Sequence, residues 1–198
     1  MDIKFLFSIW RSCWGLSVAM IAFVNYIIIN SNEHITRIGY YDISVKYLLI
    51  FMLFCCVIDF ILMFVYNTIY NLQIVIHHMI MFILIIFGLF NTPSHHYYSN
   101  MAMMSEVVAF TTFMSPVIRY YNLHNILFKI YYAIYALLTI FCRGFIWATF
   151  INAARNNSNS HYICIVGVIP LILLDIYWTY ECIYCILYGS MKYNKKKN

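Results

Sequence analysis

Charge is what this sequence has least of. Only 10% of its 198 residues are Asp, Glu, Lys or Arg, and seven are acidic. That is too little to clothe a water-soluble domain, where about a quarter of residues carry charge. Proline is nearly absent, at three residues, so little stands in the way of long helices. No internal repeat stands out, and nothing is of low complexity beyond the terminal lysines. No small-residue cleavage site follows the first apolar run, 5–29, which is also too long for the core of a signal peptide, so it is expected to remain as a membrane helix. The seven cysteines are odd in number and lie mostly inside apolar runs, which argues against a disulfide framework. Cys182 and Cys185 have redox-motif spacing, but on a helix they read as two small residues on one face. There is also no H-x-x-H-H box and no histidine pair at i, i+4, the spacing a single metal ion would use.

Hydrophobic residues are what remains. They make up 64% of the chain, and the mean hydropathy is +0.78, which describes an all-α integral membrane protein. A spanning helix takes about 20 mostly apolar residues. Six candidate spans follow: 5–29, 45–66, 72–90, 101–118, 126–150 and 162–189. The polar linkers between them read as a 13-residue stretch ending at Ile43, a turn at Asn67–Asn71, and loops at 91–100, 119–125 and 153–161. The span 101–118 is the least regular, with Glu106, several hydroxyl residues and Pro116. A short, kinked or broken segment of this kind is tolerated only where it is buried in protein or lines a cavity.

The net charge of +5 does not indicate nucleic acid, because four of the twelve basic residues lie in the last seven positions. A basic tail beside a membrane helix sets orientation or touches anionic lipid. With the N-terminus in the cytosol, that side holds Lys4, Arg11, Arg119, Lys129 and the four tail lysines, against Arg37, Lys46 and Arg155 opposite. Eight against three places both termini in the cytosol. The sequon Asn156-Asn157-Ser158 then falls on the lumenal side. Tyrosines gathered at span ends read as interfacial anchors.

Six ionisable residues interrupt the apolar runs: Asp59, His77, His78, Glu106, Arg143 and Asp175. Such groups at membrane depth point to function by default. Helical rise puts His77 and His78 about 8–9 Å from the cytosolic end of the third span, with Asp59 at a similar depth of roughly 10 Å. Glu106, Arg143 and Asp175 form a second layer nearer the lumen. Adjacent helical residues diverge by about 100°, so the two rings do not converge on one atom, and one is expected to face a cavity as base or nucleophile. Asp59 is then the carboxylate that orients it. The plainer reading is a pair of interhelical hydrogen bonds. Glu106 and Arg143 likewise read as a buried ion pair stitching two spans. The other five histidines, His95 and His96 among them, are expected in solvated loops, which argues against haem ligation.

In this order and spacing the residues resemble the TLC-domain family, which groups ceramide synthases with translocation-associated membrane proteins. The histidine pair opening a span is carried by IVIHHMIMFILIIF. CVIDF places Asp59 upstream, without the tyrosine that often precedes it in the family. SEVVAFTTFMSP places Glu106 downstream, IFCRGF places Arg143 inside a later span, and DIYW sets Asp175 three residues before Trp178. Pro116 falls later than the family's proline, and the aspartate-rich stretch of true ceramide synthases is missing, so the chain looks closer to the short TLC-domain proteins. The resemblance covers roughly 45–190, leaving 1–44 as a first helix with its linker and 191–198 as a basic tail.

What the resemblance implies is a six-helix, barrel-like bundle around a cavity, with the histidines inside. It implies endoplasmic-reticulum residence, a location that Lys195 and Lys196 in the tail would also suit as a retrieval signal. It implies membrane lipids as partners and, in acyl-transferring members, acyl-CoA as co-substrate with a long-chain amine as acceptor. His77 or His78 would then be base or acyl acceptor, with Asp59 orienting it and no bound cofactor or metal. The alternative is a non-enzymatic lipid regulator or carrier using the same cavity.

Overall fold

The computed structural model describes residues 3–30, 35–90, 93–113, 126–155 and 161–188. All regular structure among them is helical: α1 (Ile3–Asn30), α2 (Ile35–Val65), α3 (Leu72–Phe90), α4 (Pro93–Met104), α5 (Ile126–Leu138), α6 (Gly144–Arg155) and α7 (His161–Tyr188). A 3-10 stretch, Ser105–Phe113, continues α4, and a π-helical turn, Thr139–Arg143, joins α5 to α6. Five segments among the described residues are long and apolar enough to cross a membrane: Ile3–Ile29, Ile43–Val65, Leu72–Phe90, Ile126–Thr149 and Gly167–Tyr188.

The distribution of polarity identifies the solvent. Large apolar side chains such as Phe64, Phe90, Phe141 and Phe145 point outward, each at least two-thirds exposed. Asp59, His77, His78, Glu106, Arg143 and Asp175 are all buried. An apolar coat over a polar interior is unstable in water and stable in lipid, where every charged group must turn inward to find a partner. The protein is therefore a polytopic integral membrane protein.

The helices form a ring in which α1 packs on α2, α2 on α3, α3 on α7, and α7 on α5, and the 3-10 stretch closes it between α5 and α1. At the end away from the N-terminus, α4 enters the ring and contacts α1, α2, α3 and α6. Its Met101, Ala102 and Met103 join the main apolar core with Val18, Met52, Met81 and Ile85. Asn100, fully buried, donates to the Ala22 carbonyl at 2.8 Å.

Two expected linkers are helical instead. α2 begins at Ile35, well inside the stretch read as a linker. The expected loop at 91–100 is largely α4, with Pro93 at the first helical position, where its missing N–H is not needed. His96 consequently lies on α4 and is buried, not solvated in a loop, and His161 opens α7. Polarity misleads here because α4 packs against four other helices, and its polar residues His96 and Asn100 are buried. The expected fourth span, 101–118, is the broken segment: its helix starts earlier, at Pro93, and turns 3-10 at Ser105. Pro116, the loop 119–125 with His124, the sequon and the lysine tail lie outside the described residues.

Local chemistry fixes the start of α3, the helix that carries the histidines. Asn71 precedes it, and its side-chain oxygen accepts the Gln73 N–H at 3.0 Å, an N-cap that satisfies one otherwise orphaned donor. Helix α1 is held against the 3-10 stretch by a close approach. A Cβ on Gly15 would come within 2.5 Å of the Ala109 Cβ, and Ser12 Oγ donates to the Ala109 carbonyl at 3.2 Å.

Candidate functional site

A cavity of about 600 Å³ opens toward the end of the bundle where α1 begins, within the ~300–1,000 Å³ typical of small-molecule sites. Its wall combines the first turns of α1 and α3, the start of α5 and the last turns of α7, with Glu106, Val108 and Ala109 from the 3-10 stretch. Tyr70 and Tyr180 at the rim are exposed, while His77, Glu106 and Arg143 in the wall are at most 5% exposed. The site thus grades from an aromatic mouth to a polar floor.

The structure divides the histidine pair. His77 lines the cavity, and its Nε2 stands 3.4 Å from Glu106 Oε1. His78 does not line it. That ring is fully buried, 6.2 Å from Trp14 and 5.9 Å from Phe60 between centroids, with Nε2 3.2 Å from Asp59 Oδ2. The divergence expected of adjacent helical residues is therefore present, but each ring has its own carboxylate. Asp59 faces His78, and the acid beside the cavity histidine is Glu106.

Glu106 and Arg143 are not each other's ion-pair partners, contrary to the sequence reading. Arg143 pairs with Asp175, and its Nε–H donates to the Ser105 carbonyl at 2.8 Å. The second Asp175 oxygen accepts Trp147 Nε1–H at 2.8 Å. Depth alone suggests the wrong pairing, since it leaves rotation about the helix axis unspecified. Arg143 ends the π-helical turn and Glu106 sits in the 3-10 stretch. Both departures from α geometry are of the kind found at functional positions; the irregular composition of 101–118 signals the first, and nothing in the sequence signals the π turn.

Trp178 bridges the two regions. Its ring lies 5.7 Å from the His77 ring and 5.8 Å from the Arg143 guanidinium carbon, and its Nε1–H donates to Gln73 Oε1 at 3.0 Å. All four side chains line the cavity.

Sequence reasoning misses the contribution of α1. Trp10 Nε1–H donates to Asp59 Oδ1 at 2.7 Å, and Arg11 Nε lies 3.5 Å from Asp59 Oδ2. The charge count uses Arg11 for orientation alone. Its place seven residues after Lys4, on one helix face, is the signal that could have found it.

The cavity also contains unspent polar capacity. Both Glu106 oxygens and His77 Nδ1 are buried without a hydrogen-bond partner among the described residues. Buried polar groups are otherwise nearly always bonded, so a floor of this kind is suited to a ligand that brings donors. Among the described residues no group of three His, Cys, Asp or Glu is placed to hold a metal ion. Cys182 and Cys185 line the cavity without forming a disulfide.

Comparison with protein-family models, with curated proteins and with solved structures finds no match.

Proposed function

We propose that this is a lipid-processing membrane enzyme of the TLC type, transferring an acyl group from acyl-CoA to a long-chain amine, with His77 as general base. One observation carries the reading: a histidine faces a buried carboxylate at the floor of a ligand-sized cavity inside a bundle with an apolar exterior. With Nε2 turned to Glu106, the lone pair falls on Nδ1, which has no hydrogen-bond partner among the described residues. In the step proposed, His77 takes a proton from the amine as its nitrogen attacks the thioester carbonyl. The C–N bond forms, the C–S bond breaks, and the departing thiolate takes the proton from His77, leaving an amide and a free thiol. Glu106 orients the ring and stabilises its protonated form, and Trp178 limits its rotation. Arg143, held by Asp175, fixes the backbone at Ser105 and so aims Glu106. His78 and Asp59 are positioning residues behind this floor. They tie α2 and α3 together and anchor Arg11.

The charge asymmetry of the sequence supports a cytosolic mouth, where a CoA headgroup would stay in water, and the family resemblance supports residence in the endoplasmic reticulum. The test is lipidomics of cells expressing wild type, His77→Ala or His78→Ala at matched protein levels. New amide lipids are expected with wild type and not with His77→Ala. Identical lipid profiles from wild type and His77→Ala would remove His77 chemistry. Lipid co-purifying with a protein that turns nothing over would assign the cavity to a carrier.

A further inference from the structure

We propose that the α1 wall of the cavity is a phosphate site, in which Lys4 and Arg11 receive the phosphorylated head of a long-chain amphiphile. Its identity as the acyl donor rests on the acyl-transfer reading above. The phosphate chemistry does not.

Lys4, Phe7, Ser8 and Arg11 all line the cavity and follow the i, i+3, i+4, i+7 spacing of one helical face. Lys4 and Arg11 therefore stand on the same wall, separated by about 10 Å of rise. Lys4 is exposed at the rim, while the Arg11 side chain is only 11% exposed. Two cations spaced along one low-dielectric wall focus a positive potential into the cavity.

Arg11 is held but not saturated. Trp10 occupies Asp59 Oδ1, and the Arg11 Nε, though 3.5 Å from Oδ2, makes no hydrogen bond. Asp59 thus anchors the guanidinium beside the cavity. Among the described residues of the lining the acids are Glu106 at the floor and Glu181, which accepts from Tyr177 at 2.8 Å. Across the cavity, Tyr131, Tyr135, Tyr180 and Tyr184 supply hydroxyls able to donate to phosphate oxygens.

The arrangement orders a ligand along the cavity axis. Phosphates sit against α1, and the apolar chain and reactive carbonyl lie beyond, toward His77. Phosphate can come from an acyl-CoA or from a phospholipid, so the experiment carries both. Full-length protein in phosphatidylcholine nanodiscs is titrated with palmitoyl-CoA, phosphatidic acid and palmitate, for wild type, Lys4→Gln, Lys4→Glu, Arg11→Gln and Arg11→Lys.

Palmitoyl-CoA affinity is expected to fall about fivefold in Lys4→Gln, further in Lys4→Glu, and with rising salt in wild type. Palmitate, without phosphate, is expected to respond less. Arg11→Lys should retain more affinity than Arg11→Gln. If the Arg11 variants fail to fold, the exposed Lys4 pair still decides. Equal affinity in wild type, Lys4→Gln and Lys4→Glu for both palmitoyl-CoA and phosphatidic acid overturns the proposal. A matching Lys4 dependence for phosphatidic acid alone keeps the phosphate site and assigns it to a phospholipid. Binding is read here without turnover, so Lys4-dependent binding beside an unchanged lipidome would discard the transfer reading and keep this one.

Discussion

Replacing Arg143 with methionine should be among the most destabilising single changes in the protein, and its size can be worked out from the contacts. Arg143 loses its pairing with Asp175 and its bond to the Ser105 carbonyl, while Asp175 keeps only the Trp147 donor. Breaking a buried pair by removing one partner costs about 3–5 kcal/mol, because the remaining charge is stranded in a low-dielectric interior. For a chain of this size each kcal/mol corresponds to about 2–4 °C in melting temperature on the soluble-protein scale, giving a drop of roughly 6–20 °C. Asp175→Leu added to Arg143→Met removes the stranded charge, so the double variant should melt above the single one. The assay is thermal unfolding in detergent, followed by loss of the monodisperse peak, across the four members of the cycle. An Arg143→Met protein within ~1 kcal/mol of wild type, or strictly additive losses in the double variant, would refute the pairing as the source of stability.

Other outcomes follow from the same contacts. Gly15→Ala should cost about 1–3 kcal/mol through overpacking, since the obstructing Ala109 Cβ is no flexible tip, and Ala109→Gly should restore the melt. Asn71→Ala removes the α3 N-cap and should cost about 1 kcal/mol in the same melt. The histidines should separate by readout. His78→Ala, in a fully buried site, is expected to lower the melting temperature by more than His77→Ala. Only His77→Ala, at the cavity, is expected to abolish amide-lipid formation at full expression. The reverse ranking would place the working ring on the wrong side of α3.

The apolar helices are legible in the sequence because lipid demands an uninterrupted run of hydrophobic residues, and α3 and α7 end close to where composition places them. The polar positions are legible too, since a charge inside such a run is costly unless a partner or a cavity receives it. Rotation is not legible. Asp59, His77 and His78 share a depth, yet Asp59 reaches His78 while His77 turns to Glu106. Arg143 and Glu106 sit in one layer, yet each finds another partner. Helix α4 escapes detection because its Ser, His and Asn residues read as a loop in the sequence, whereas His96 and Asn100 are buried among neighbouring helices. The break at 101–118 is legible in its Glu106, hydroxyl residues and Pro116, but the π turn that sets Arg143 depends on packing between helices and leaves no trace in composition.

Helix α4 has a consequence for the membrane itself. It packs into the ring at the end opposite the mouth, and none of its residues lines the cavity, so among the described residues the pocket is closed on that side. On the function proposed above, a pocket closed at one end takes in a polar headgroup from one side of the bilayer without requiring a path for ions to the other.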